Sequence, residues 1–250
     1  MADLERHKGF MKYALKLANN ALHNNEVPVA CVFVYKNQVI SYGMNNTNDS
    51  LSGITHAEFR GINIIWSKLQ SMTPTPGIAL QDIFKEIDLY VTVEPCVMCA
   101  SALKQIGIRN VYFGCGNERF GGNGSCLKIN QDSTTSENNY KSYPGIYRKE
   151  AIILLRDFYT HENTKAPVPK EKKNRILKKD EFPPLIWSNY INEMDFKNFF
   201  GVDKLWAFEQ NLDLDDEINN DILDSQNINI DDIIEWSNQP LPGLNKRRKT

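Results

Sequence analysis

The sequence predicts an α/β fold in which helices pack on a mixed sheet. Apolar residues recur at helical spacing over residues 4–22, and short β-rich runs occupy 29–35, 87–93 and 110–115. Helical stretches separate the later runs, and strands alternating with helices favour layers of helix on sheet.

Leu4, Phe10, Met11, Ala14, Leu15, Ala18, Ala21 and Leu22 form one stripe, so residues 4–22 read as an amphipathic helix with Asp3 as its N-cap. Residues 29–35 are continuously apolar, which predicts a strand buried on both faces and makes Cys31 a small core residue. Lys36-Asn37-Gln38 breaks the run and residues 39–43 resume it, the pattern of a hairpin. A polar loop over 45–52 precedes a helix over 56–69, capped by Ser52 or Thr55, with Phe59, Ile62, Ile65, Trp66 and Leu69 facing inward. A proline-bearing loop over 71–77 leads to a strand over 87–93. Pro95 stands before a helix over 96–106, and a strand follows over 110–115. Gly121, Gly122 and Gly124 make 118–125 a flexible or tightly turned loop. The polar residues 131–142 are expected to be disordered. Helical spacing returns over 148–162 through Ala151, Ile152, Leu155, Phe158 and Tyr159.

A compact domain is expected over residues 1–162, a basic linker over 163–180 and an extension over 181–250. The extension has segregated charge: residues 208–235 hold ten Asp or Glu and no Lys or Arg, and Lys246-Arg247-Arg248-Lys249 lies near the end. Phe182, Trp187, Tyr190, Phe196, Phe199, Phe200, Trp206 and Phe208 are too much apolar mass for a disordered tail. This part is therefore expected to fold against the core or against a partner, on whose basic surface the acidic stretch would dock. The negative charge of that stretch would repel any polyanion. No apolar run approaches the roughly 18 residues a membrane span needs, so no membrane association is expected. The charged start, residues 1–8, lacks the apolar stretch of a signal peptide. An intracellular protein is expected. With five cysteines, two of them in a C-x-x-C, metal binding is favoured over a disulfide framework.

Two short stretches carry the chemistry, Thr55-His56-Ala57-Glu58 and Glu94-Pro95-Cys96-Val97-Met98-Cys99. Cysteines three apart on the first turn of a helix face one way, and the helix N-terminus favours their thiolates. His56 adds a neutral ligand. With His56, Cys96 and Cys99 on zinc, a fourth position is open to water, whose pKa zinc lowers toward ~7. Glu58 is the base that takes the proton and later delivers it to a leaving group. The competing reading is a structural zinc closed by Cys31, Cys115 or Cys126, in an RNA-binding scaffold without catalysis.

H-x-E followed by P-C-x-x-C is the signature of zinc-dependent nucleobase deaminases. Glu26-Val27-Pro28-Val29, Gly43-Met44-Asn45, His56-Ala57-Glu58, residues 93–100 and Phe113-Gly114-Cys115-Gly116 resemble the tRNA adenosine deaminases. Residues 119–125 and 155–159, and the lysine-rich run after Glu162-Asn163, resemble the eukaryotic catalytic subunit. The resemblance covers roughly residues 1–180. It implies a three-layer α-β-α cytidine deaminase-like fold with a mixed five-stranded central sheet, here followed by a C-terminal extension. It further implies hydrolytic deamination of adenosine to inosine at the wobble position of the tRNA anticodon. One zinc ion on His56, Cys96 and Cys99 activates the water, and Glu58 shuttles protons. The family is a heterodimer with a related non-catalytic deaminase-like subunit. By the same resemblance Asn45 contacts the nucleoside, the Ala57 amide holds the base edge, and Val27 and Pro95 line the pocket. Lys170, Lys172, Lys173, Arg175, Lys178 and Lys179 grip the RNA. A nuclear or cytoplasmic location follows. A deaminase of a free cytosine or guanine base or nucleotide is the alternative within enzymes, although such an enzyme has no use for a basic extension.

Overall fold

The computed structural model describes residues 2–71, 80–133, 138–160, 181–215, 217–224 and 229–242. Its centre is a five-stranded mixed sheet: β1 (Ala30–Tyr35), β2 (Gln38–Met44), β3 (Ile87–Val93), β4 (Asn110–Cys115) and β5 (Lys141–Tyr143), in the order β2-β1-β3-β4-β5. β1 runs antiparallel to both β2 and β3, while β3–β4 and β4–β5 are parallel. Every residue of β1 and β3 is buried, as expected of strands covered on both faces. Lys36 and Asn37 have φ of 48° and 60°, which gives a two-residue turn whose twist matches the paired strands.

Helix α1 (Ala2–His23) crosses one face over β1 and β3. It begins before Asp3, so Asp3 is no N-cap; its carboxylate instead pairs with Arg6 one turn on. The four-residue α2 (Thr47–Ser50) interrupts the polar loop. On the opposite face α3 (Ala57–Gln70) packs on β2 and β1. Its buried side is Ala57, Glu58, Gly61, Ile65 and Leu69. Trp66 faces outward instead, 45% exposed and stacked on Phe84 of the 3-10 turn Leu80–Glu86. α4 (Val97–Ile106) follows β3, and α5 (Arg148–Thr160) covers β4 beside α1. On the α1 face Tyr90, Tyr112 and Tyr143 stack across β3, β4 and β5 with centroids 4.7 and 5.0 Å apart. His7 of α1 lies on this stack, its Nδ1 2.7 Å from the Tyr90 hydroxyl.

The described part of residues 131–142 is not the disordered stretch expected. It holds the end of the turn Ile129–Gln131 and the first two residues of β5, which is held by pairing to β4. The extension folds back on the core through α6 (Glu193–Phe200), α7 (Leu205–Gln210), α8 (Asn220–Leu223) and α9 (Asp231–Asn238). Trp187 is fully buried, its ring edge-on to Phe196 and Phe200, and its Nε1 donates to the Leu212 carbonyl at 3.0 Å. Part of the acidic stretch docks on this chain's own cations. Asp213 pairs with Arg148 at 2.9 Å and Asp215 with Lys8 at 2.8 Å, while Asn19 holds the Ile222 and Leu223 carbonyls. No helix among the described residues is long and apolar enough to cross a membrane.

Candidate metal centre

Two helix starts converge at the end of the sheet. His56 and Cys96 occupy the N-cap positions of α3 and α4, with extended backbones (ψ 158° and 167°) and no cap made by either side chain. Each side chain is therefore free of its own helix and turns into the space between the two. The expected cap, Ser52 or Thr55, sits earlier in the loop, where Thr55 Oγ1 donates to the Ser52 carbonyl. The start of α3 is drawn against β2 at Gly43, where a Cβ would overlap the Ala57 carbonyl oxygen, so only glycine allows that approach.

His56 Nδ1 lies 3.6 Å from Cys96 Sγ and 3.4 Å from Cys99 Sγ. All three donor atoms fall within 4.8 Å of one another. A tetrahedral zinc with ordinary Zn–S and Zn–N bonds sets sulfur and nitrogen about 3.6 Å apart. The three residues fit zinc, and zinc is the metal they bind. No fourth cysteine joins them among the described residues. Cys31 and Cys115 are buried within strands, and Cys126 is exposed, its thiol on the Glu118 carbonyl. The closed structural site is thereby ruled out for these residues.

The electrostatics favour a thiolate at Cys96. The Cys96 thiol is brought down to about 4, first by the hydrogen bond from Cys99 and then by that from His56. Cys99 is pushed up, first by its hydrogen bond to Cys96 and then by burial. His56 is raised, chiefly by its hydrogen bond to Cys96. Glu58, on the first turn of α3, is 3% exposed, and no described group pairs with its Oε2. Burial raises the Glu58 carboxyl above its ordinary value. A buried carboxyl with one oxygen unpaired is costly unless it has work to do, and a raised pKa is what a proton carrier needs.

Asn45 and Ala57 meet at the start of α3. Asn45 is buried, and its Oδ1 accepts the Ala57 amide at 3.0 Å, so the two are bonded to one another there. Asn45 N donates to the Val29 carbonyl at 2.9 Å, which ties the segment bearing the half-buried Val27 to the same wall. Pro95 is buried and its carbonyl accepts the Gly122 amide at 2.9 Å. Lys170, Lys172, Lys173, Arg175, Lys178 and Lys179, with the basic tip at 246–249, lie outside the described residues.

Two carboxylates that spacing alone did not mark hold the walls. Glu26 accepts from the amides of Val27 (2.9 Å) and Asn48 (2.8 Å) and from the Thr47 hydroxyl (3.0 Å), which fixes the turn beyond Asn45. Glu94 accepts from the amides of Asn117 (2.8 Å), Asn123 (2.9 Å) and Ser125 (3.0 Å) and from the Ser125 hydroxyl, so the glycine loop is tightly turned rather than flexible. The only sequence signal for either was an acidic residue beside a motif with no basic neighbour.

Residues 4–115 match the cytidine and deoxycytidylate deaminase zinc-binding region. The chain is 52% identical over 175 residues to the tRNA-specific adenosine deaminase subunit tad2 of Schizosaccharomyces pombe, an alignment that covers 70% of this chain and 42% of that one. It is 41% identical over 172 residues to the tRNA-specific adenosine deaminase 2 of Xenopus laevis, covering 68% of this chain and 95% of that one. A structure solved in work on A-to-I editing by tRNA deaminases at the wobble position superposes with a TM-score of 0.51 and 30% identity, over 59% of this chain and 99% of that one. A protein crystallised with 8-azaguanine superposes with a TM-score of 0.50 and 20% identity, over 61% of this chain and 83% of that one, a likeness of fold alone.

Proposed function

Because the chain belongs to the tRNA-specific adenosine deaminase family, we propose that it is the catalytic subunit of an enzyme that converts adenosine to inosine at the wobble position of the tRNA anticodon. The observation that carries this is Glu58, a buried carboxyl with an unpaired oxygen beside the three zinc ligands. Bound zinc supplies Lewis-acid activation of a water, with its pKa brought toward ~7.

Hydrolytic deamination forms a C–O bond at the carbon bearing the exocyclic amine and breaks its C–N bond, so water and adenosine become inosine and ammonia. Glu58 takes both protons of the water in turn, giving one to the ring nitrogen and the other to departing ammonia. Burial favours its neutral form, so it holds a proton between the two transfers. Asn45 orients the base through its amide nitrogen, while its Oδ1 keeps the start of α3 in register by holding the Ala57 amide. Val27 and Pro95 close the sides of the pocket. The target base must leave its stack to arrive here, which an anticodon loop permits at low cost.

The name "subunit" given to the S. pombe relative supports a complex. We take the partner to be a related deaminase-like chain without a catalytic glutamate, and the site of action to be the nucleus, the cytoplasm or both. The lysine-rich run at 165–179 is the proposed RNA grip.

The test is inosine formation on full tRNAs and anticodon stem-loops, with and without the partner. The wild-type complex makes inosine, and Glu58→Ala makes none while keeping its zinc and its tRNA affinity. Inosine from the Glu58→Ala complex, or turnover of free cytidine in place of tRNA, would overturn the proposal.

A further inference from the structure

The extension does more than cover the core. Its residues Asn189 and Tyr190 sit directly on the glycine loop that borders the metal centre. The Tyr190 hydroxyl lies 2.8 Å from Ser125 Oγ, and Ser125 Oγ donates to Glu94. Glu94 gathers the amides of Asn117, Asn123 and Ser125, and it directly precedes Pro95 and the ligand Cys96. The same loop is stitched to the ligand segment by its backbone: Val97 N donates to the Phe120 carbonyl at 2.8 Å and Gly122 N to the Pro95 carbonyl at 2.9 Å. At Gly124, φ is +148°, and a Cβ there would stand 2.6 Å from Tyr190 Cδ1. The loop is thus shaped to receive the extension. Its outer rim carries Arg119 and Phe120, both exposed, Phe120 by 64%. An exposed aromatic beside a cation is the surface on which unstacked bases are held.

We infer that Tyr190 is a positioning residue for tRNA binding: through Ser125 and Glu94 it fixes the loop 117–125, and so fixes Arg119 and Phe120 at the mouth of the site. This rests on the tRNA deaminase reading above. Tyr190 lies beyond residues 4–115 of the family match. The ligands His56 and Cys96 stand at the starts of α3 and α4, whereas the Tyr190 hydroxyl reaches the loop only through Ser125. Loosening the outer part of the loop therefore weakens binding more than it slows the chemistry.

The experiment uses the zinc-loaded full chain with its partner, and compares Tyr190→Phe, Ser125→Ala and the double variant. Tyr190→Phe keeps the ring, which packs edge-on to Phe113 at 5.4 Å, and removes only the hydroxyl. Loss of one hydrogen bond of ordinary strength gives an expected rise in KM for tRNA of about threefold to tenfold, with a smaller change in kcat and zinc content unchanged. The double variant falls no further than Ser125→Ala, since both changes break one chain of bonds. Amide exchange at Asn117, Asn123 and Ser125 speeds up in each variant, a reading that needs no substrate. Unchanged exchange and unchanged KM in Tyr190→Phe would overturn the inference, as would additive effects in the double variant. If the wild type makes no inosine, the functional reading fails while the exchange rates still decide whether Tyr190 holds the loop.

Discussion

Trp187→Ala is the sharpest probe of how the extension is held. The indole is fully buried, wedged edge-on between Phe196 and Phe200. Truncating a buried aromatic of this size costs about 3–5 kcal/mol in transfer and cavity terms. The Leu212 carbonyl also loses its Nε1 donor, which adds about 1 kcal/mol. A sum near 4–6 kcal/mol compares with the roughly 5–15 kcal/mol that stabilises a typical domain. In a chain of this length it lowers Tm by about 10–20 °C if the molecule unfolds as one unit. If the extension opens first, the loss appears as faster amide exchange confined to α6 and α7. Thermal unfolding followed by circular dichroism, with residue-resolved exchange, separates the two. A Tm within 3 °C of wild type and unaltered exchange in α6 and α7 would refute the argument that Trp187 anchors the extension.

Two other outcomes are open to direct measurement. Cys96→Ala removes a thiolate brought down to about 4, and metal analysis should find zinc lost, while one full equivalent retained would strike Cys96 from the ligands. His7 is held by burial at about 4 against 6.5 when free. The unfolded chain thus binds the extra proton first: the contribution of His7 is complete above pH 6.5 and is lost as pH falls through 4. Urea melts across pH 7 to 4 should show a steeper fall for wild type than for His7→Gln, and equal slopes would count against it.

The parts of this molecule legible in its sequence are those where one segment suffices. β3 and β4 are continuous apolar runs, and their ends fall where residues 87–93 and 110–115 place them. The ligands were legible because His56, Cys96 and Cys99 are chemically rare and correctly spaced. β5 was not, because three residues have no period and Lys141–Tyr143 is a strand only through β4. Trp66 misled because helical spacing counts an aromatic as inward-facing, whereas here it lies over Phe84 at the surface. The short helices of the extension, four to eight residues long, are too brief to stand alone. They exist because Trp187, Phe196 and Phe200 are buried together. Glu26 and Glu94 stand in motifs the sequence displays, but their task was not legible, because most of their partners are backbone amides, which every residue but proline carries.

The placement of α9 has a bearing on solubility. β2 is the outermost strand on its side of the sheet, and an outer strand offers a row of unpaired amides and carbonyls to any passing chain. α9 packs alongside β2, and Lys68 Nζ ties the Ile40 carbonyl of β2 to the Gln239 carbonyl just beyond α9, at 2.7 and 3.0 Å. The last described helix thus serves as a guard rail along that edge. A chain cut before residue 231 would keep its zinc ligands and its sheet, and would meet its own copies edge to edge.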